Sequence, residues 1–200
     1  MPTGMTDSRV KSKSKNFRIS GFSIIEVLVT LLVFSVSLLG YASLQNRAQK
    51  AQLEVYQRVY ALNLIDYMVD QIKTNPVAQG CYGLGAVEVG SGYFTSYSCS
   101  IYGTADTQAQ VIEAVNQWSD LLKGSGEVVA GNNVGGLLNA RGCINYDRGN
   151  QTYTVSVVWQ GLIETVAPIA TNCGNTSYGG SSSKFRRALT YRLQTPTLNN

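Results

Sequence analysis

Two hydrophobic patterns follow one another near the start of the chain, and they differ in kind. From Gly21 to Leu44 (GFSIIEVLVTLLVFSVSLLGYASL) apolar residues would cover every side of a helix, and Val27–Leu44 carries no charge over 18 residues. At 1.5 Å per residue that run makes about 27 Å of helix; counted from Phe22 it reaches roughly 35 Å, enough to cross a hydrocarbon core. Beyond Leu44 the pattern narrows to a stripe. Ala48, Ala51, Val55, Val59, Leu62, Ile65, Val69 and Ile72 recur every three or four residues, and most charged side chains from Arg47 to Lys73 fall elsewhere around the cylinder. This is an amphipathic helix. A coiled-coil stalk would favour Leu or Ile over Ala48 and Ala51 and would repeat for longer, so the stripe suits packing on the chain's own sheet. Asn75-Pro76 closes the pattern. Together the two patterns predict one helix over residues 22–75, roughly 80 Å long, with Gly40 as its weak point.

After residue 76 the periods shorten. Tyr93–Tyr102 (YFTSYSCSIY) has the aromatic and β-branched character of a strand, preceded by turn-marking glycines between Gly80 and Gly92. A second helix is expected at about 107–123, with Thr107 and Gln110 as a capping box, an apolar face that includes Val111, Val115, Trp118 and Leu122, and Gly124 just past its end. Trp118 reads as a core residue. Gly124–Gly142 is expected to be loop. Thr152–Trp159 is the clearest strand, with Tyr153, Val155, Val157 and Trp159 on one face, and Gly142–Tyr146 before it completes a hairpin across Asp147–Asn150. Thr171–Ser183 is expected as loop, mobile over Gly179–Ser183, and Phe185–Leu193 as a last strand ending at Pro196. The predicted class is α+β: a long N-terminal helix, membrane-spanning in its first half and amphipathic in its second, packed on an antiparallel sheet.

Charge sharpens this picture. The net charge is +4, and all of it lies in residues 1–21, where Arg9, Lys11, Lys13, Lys15 and Arg18 stand against Asp7; the remainder of the chain is balanced. The polar, Lys/Ser-alternating start reads as a disordered leader whose basic residues keep it on the cytoplasmic flank of a membrane. A secretory signal peptide would offer a small-x-small cleavage site after its apolar run, and Tyr41-Ala42-Ser43 is a poor one. Because the head has no basic excess of its own, nucleic-acid binding is not expected.

Histidine is absent, which removes the commonest general base and metal ligand. Asp66 and Asp70 share a helix face near Arg58 and Lys73 and read as a solvated flank. The glycine-rich stretch at 83–92 lacks the strand–turn–helix frame and the lysine of a phosphate loop. No catalytic, cofactor-binding or metal site is expected, and the chain does not read as an enzyme. The four cysteines, Cys81, Cys99, Cys143 and Cys173, follow the apolar segment without any CxxC pair, which points to two disulfides in an oxidising compartment. Three pairings are possible; Cys81–Cys99 with Cys143–Cys173 is favoured because each closes a loop inside one segment. The topology is then N-terminus inside and head outside.

One residue resists the plain anchor reading. Glu26 sits among the first apolar residues, where burying its charge near a bilayer centre costs on the order of 3 kcal/mol. Gly21-Phe22-Ser23-Ile24-Ile25-Glu26-Val27 resembles the type IV prepilin processing motif, with glycine at the cut, an aromatic first mature residue and glutamate as the fifth. The resemblance implies a type IV pilin-like fold, with a leader 1–21, an assembly helix 22–47 and a periplasmic head 48–200. It further implies that a prepilin peptidase cuts between Gly21 and Phe22 and methylates the new amine on Phe22. Glu26 would be the charge partner of that amine, in the same chain or a neighbouring one.

The longer run through Gln52, with Asp66-Tyr67-Met68, Ile72–Pro76 and, more loosely, Trp118, Gly142-Cys143-Ile144, Tyr153–Gly161 and Arg186-Arg187, resembles the minor pilins of the PilV, or type IV pilus modification, family. Ile19-Ser20 departs from the residues common before the cut. The implied partners are other minor pilins, the major pilin and the inner membrane, with later residence in the fibre at the cell surface. Pseudopilins of type II secretion share the motif, and a single-pass periplasmic binding protein is the other alternative.

Overall fold

The computed structural model describes residues 21–92, 97–178 and 183–195; the expected leader, save Gly21, the expected loop at 179–182 and the expected strand stop at Pro196 lie outside them. Helix α1 runs Ile24–Thr74. The chain divides within it into two compact units, Met1–Asn46 and Arg47–Asn200. In the first, every described side chain from 21 to 46 is exposed. The helix passes through Gly40 without interruption.

In the second unit α1 buries Gln57, Ala61, Leu64, Ile65, Met68, Val69 and Ile72. This corrects the expected stripe. Ile65, Val69 and Ile72 belong to the seam, but Ala48, Ala51, Val55, Val59 and Leu62 are exposed. The stripe repeats at slightly less than 3.6 residues and so walks around the helix as it goes. Burial follows the side that meets the sheet, and it admits a polar residue because Gln57 Oε1 accepts the Trp159 indole N–H at 3.3 Å. The helix stops where its last carbonyls find other donors: Gln79 Nε2 donates to the Ile72 carbonyl, and buried Asn75 donates to Thr107 and accepts from the Ala78 N–H.

A short 3₁₀ turn at Gln79–Tyr82 leads to β1, Val89–Gly90. Of the strand expected at 93–102, residues 93–96 lie outside the described residues, and 97–102 hold no strand. This segment serves the first disulfide instead. Cys99 joins Cys81, and the Tyr97 hydroxyl donates to the Cys81 carbonyl. Helix α2 spans Ala105–Leu122, starting earlier than expected because Thr104 is its N-cap and Thr107 the far member of the capping box. Gly124, at φ +82°, ends it. Trp118 is fully buried, its Nε1–H donating to the Leu64 carbonyl of α1 at 2.9 Å.

The expected loop 124–142 contains a small exposed ribbon, β2 (Val128–Val129) with β3 (Asn132–Asn133), and it buries Leu137 and Ala140. Strands β4 (Arg141–Asp147), β5 (Thr152–Gln160) and β6 (Arg186–Gln194) follow. The sheet order is β1-β4-β5-β6, and every pairing is antiparallel. The β4–β5 turn is held by Asp147, whose carboxylate accepts the N–H groups of Gly149 and Asn150 and the Asn150 side-chain amide. Asn150 holds that carboxyl below its usual range, first through its side chain and then its backbone, with Gly149 adding to it.

One sheet face carries Tyr153, Val155, Val157 and Trp159, as their alternation predicts, into a single core with α1 and α2. Indole contact fixes one residue type here: a Cβ on Gly142 of β4 would lie 2.4 Å from Trp118 Cη2. The other face is covered too. Val158 packs with Cys143, Cys173 and Tyr178 under the segment that follows β5.

Candidate functional site

The segment that carries the expected chemistry begins ahead of the helix. Gly21, Phe22 and Ser23 are not helical. The first turn forms when the Ser23 carbonyl accepts the N–H groups of Glu26 at 3.0 Å and Val27 at 3.3 Å. Glu26 therefore stands in the first turn of α1, where the helix dipole favours an acid. It is exposed and makes no ion pair among the described residues. Phe22 lies two residues before α1, so in the uncut chain it does not share a helix face with Glu26.

Gly21 is informative for what does not surround it. A Cβ there would meet nothing within 4 Å. Among the described residues, nothing in the packing demands a glycine at that position.

From Ile24 onward the segment is built for an apolar medium. Three of its hydroxyls are already satisfied by its own backbone: Thr30 donates to the Val27 carbonyl, Ser35 to Leu31 and Ser37 to Val33, at 2.7 to 2.9 Å. Polar groups paired in this way cost little when water is withdrawn. α1 is long and apolar enough to cross a membrane, and none of its most apolar window is buried within the protein.

In the head, Cys81 is joined to Cys99 and Cys143 to Cys173, with Cα separations of 5.6 and 5.9 Å. Glu88 lies near the second bridge. Those thiols are spent in the disulfide, and the carboxylate is committed to Arg141 at 3.0 Å and the Gly174 N–H at 2.7 Å, so the cluster is a structural brace. A cleft of about 550 Å³ beside it is lined by Asn145, Thr154, Thr171 and Asn172. Asp66 and Asp70 are exposed on α1, as befits a solvated flank.

Sequence reasoning gave the two arginines that open β6 no role of their own. Arg186 is buried and donates to three loop carbonyls, and Arg187 reaches Glu54 of α1 at 3.2 Å. Adjacent arginines placed where a half-buried strand begins were the available signal.

The architecture is α+β and pilin-like, a long N-terminal helix on a four-stranded antiparallel sheet. Residues 16–42 match the family model described as the prokaryotic N-terminal methylation motif. That motif is of the type found in type IV pilins and pseudopilins; it implies processing by a prepilin peptidase and fits anchorage in the inner membrane. No curated protein and no solved structure matches the chain.

Proposed function

We propose that the chain is a minor type IV pilin that acts by assembly and not by catalysis. A prepilin peptidase cuts between Gly21 and Phe22 and methylates the Phe22 amine. Glu26 then pairs with that amine or with the amine of a neighbouring subunit. The chain joins other minor pilins in the inner membrane, helps to prime the fibre, and passes with the major pilin to the cell surface. A role within the PilV group rests on the sequence resemblance.

The observation that carries the reading is the conjunction at the start of α1. A methylation motif covers an unpacked glycine, and an acid in the first helical turn, without an ion pair among the described residues, opens the wholly exposed apolar half of α1. Glu26 has no counter-charge among the described residues, and cleavage creates one four residues away.

Mass spectrometry of the mature N-terminus tests it. The expected species begins with methylated Phe22 and has lost about 2 kDa, on the scale of 21.6 kDa for 200 residues; Gly21→Ala or a bulkier residue blocks the loss. A mature protein that begins at Met1 sinks the proposal. The same cut in a chain recovered only with a secretion system would make it a pseudopilin.

A further inference from the structure

The segment that leaves β5 and returns toward β6, residues 161–173, is pinned along its backbone and apolar on its outside. The Gly161 N–H donates to the Phe185 carbonyl at 2.7 Å and the Thr165 N–H to the Lys184 carbonyl at 2.9 Å. Arg186 donates to the carbonyls of Pro168, Thr171 and Cys173 at 2.6, 3.0 and 2.7 Å. Arg187 donates to the Ile163 carbonyl at 2.9 Å and the Thr165 hydroxyl at 2.6 Å, while its ion pair with Glu54 fixes this end of the loop to α1 of the head. The Cys143–Cys173 bridge closes the far end. Yet Val166 is 91% exposed and Ile169 99%, with Leu162 and Ile163 also exposed.

A loop tied down this firmly cannot fold its aliphatic side chains inward. Their ordering cost is met in advance, which is the condition under which a rigid apolar knob binds well.

Charge and area say what would cover it. The outward ionic groups here are Glu164 and Lys184, already facing each other at 3.5 Å, while the two guanidinium groups serve the loop backbone and α1. Among the described residues, no tryptophan, tyrosine, or outward unpaired cation accompanies the aliphatic residues, as an anionic lipid surface would require. A protein surface fits better. Four aliphatic side chains fall short of the roughly 800 Å² per partner that an independent interface needs. The loop therefore adds to a contact made elsewhere, and the exposed apolar half of α1 is such a contact in the assembly role proposed above.

We infer that residues 162–169 form a head-to-head docking knob that seats Val166 and Ile169 in an apolar recess of an adjacent subunit bearing its own N-terminal methylation motif. The inference rests on that assembly role, and its test separates the two. In the producing cell, a benzophenone side chain is placed at position 166 or 169 of the full chain, with exposed Asp120 of α2 as the background position. Irradiation is expected to give adducts to the head of a motif-bearing chain, this one or another, at least about tenfold above background. Adducts confined to lipid, to the same molecule, or to background level overturn the inference.

The pair Val166→Asp with Ile169→Asp is expected to lower the share of cut chain recovered in sheared fibres by about tenfold, the equivalent of 1.4 kcal/mol. Its tryptophan-detected melting should be unchanged, because both sites are exposed. Unchanged recovery counts against the knob alone. An unaltered chain that keeps its leader removes the assembly reading, and the inference with it.

Discussion

The two halves of α1 obey the same backbone rules and owe their order to different things. From Ile24 to Asn46 no side chain is buried; from Gln57 to Ile72 seven are. The first half is apolar on all sides and bonds Thr30, Ser35 and Ser37 to its own backbone, and among the described residues nothing packs on it. The second half has one seam, and its partners are the sheet and α2 of the same molecule. A helix thus tells little about its role through its helicity; the width of its apolar surface tells more.

The largest effect that would sharpen this contrast is at Glu26. Glu26→Gln should leave the head's melting unchanged and leader removal intact, yet deplete the chain from fibres by far more than tenfold. An amine left unpaired in an apolar assembly loses about 3–5 kcal/mol. Fibre recovery at the normal level would make Glu26 an interfacial residue with no assembly partner. The next test sets one half against the other. Ile65→Ala should cost the head about 2–5 kcal/mol as a core truncation, and Leu32→Ala less than about 0.5 kcal/mol. Tryptophan fluorescence reads the head alone, since Trp118 and Trp159, the two tryptophans, both lie there. Equal losses would mean that the halves are not energetically separate.

The second disulfide offers a comparable test within the head. Cys143→Ser with Cys173→Ser reopens a separation of 30 residues, for which loop entropy suggests a loss of about 3–4 kcal/mol in denaturant unfolding. Arg186 bonds to the same loop, so the remaining structure should hold residues 168–173 loosely in place. A loss well below 1 kcal/mol would show that the guanidinium alone suffices.

Much of this was legible from patterns that depend on one element at a time. The uncharged run to Leu44, the alternation in Thr152–Trp159 and the stop at Asn75-Pro76 each express a local rule, and α1, β5 and the β4–β5 hairpin follow them. Failures came where two elements had to meet. Val55, Val59 and Leu62 read as seam because they are apolar, but the sheet approaches from the side of Gln57, Ala61 and Leu64. Tyr93–Tyr102 has a strand's composition, and at least its second half gives way to the demands of Cys99. Arg186 and Arg187 read only as part of the last strand, Phe185–Leu193, whereas they organise a loop some 20 residues upstream, which no periodicity could report.

The smallest expected effect is alkaline, and it too should fall on one half only. Burial is the main cause that raises the phenols of Tyr82, to about 12, and of Tyr153 and Tyr178. Tyr178 is raised although Arg141 and Arg186 oppose the shift, because its loss of water outweighs their attraction. A phenol whose folded value lies above its unfolded value near 10 contributes its full stability below pH 10 and loses it as pH rises toward the folded value. All three residues are in the head, so in detergent the tryptophan signal should lose roughly a few degrees of melting temperature between pH 10 and 11. The helical signal of residues 24–46 should persist through that loss. Tyr82→Phe removes one of the three titrations and should make the decline shallower. A decline of equal slope in that variant would remove Tyr82 from the cause, and a helical signal that vanishes together with the tryptophan signal would show that the apolar half draws its order from the head after all.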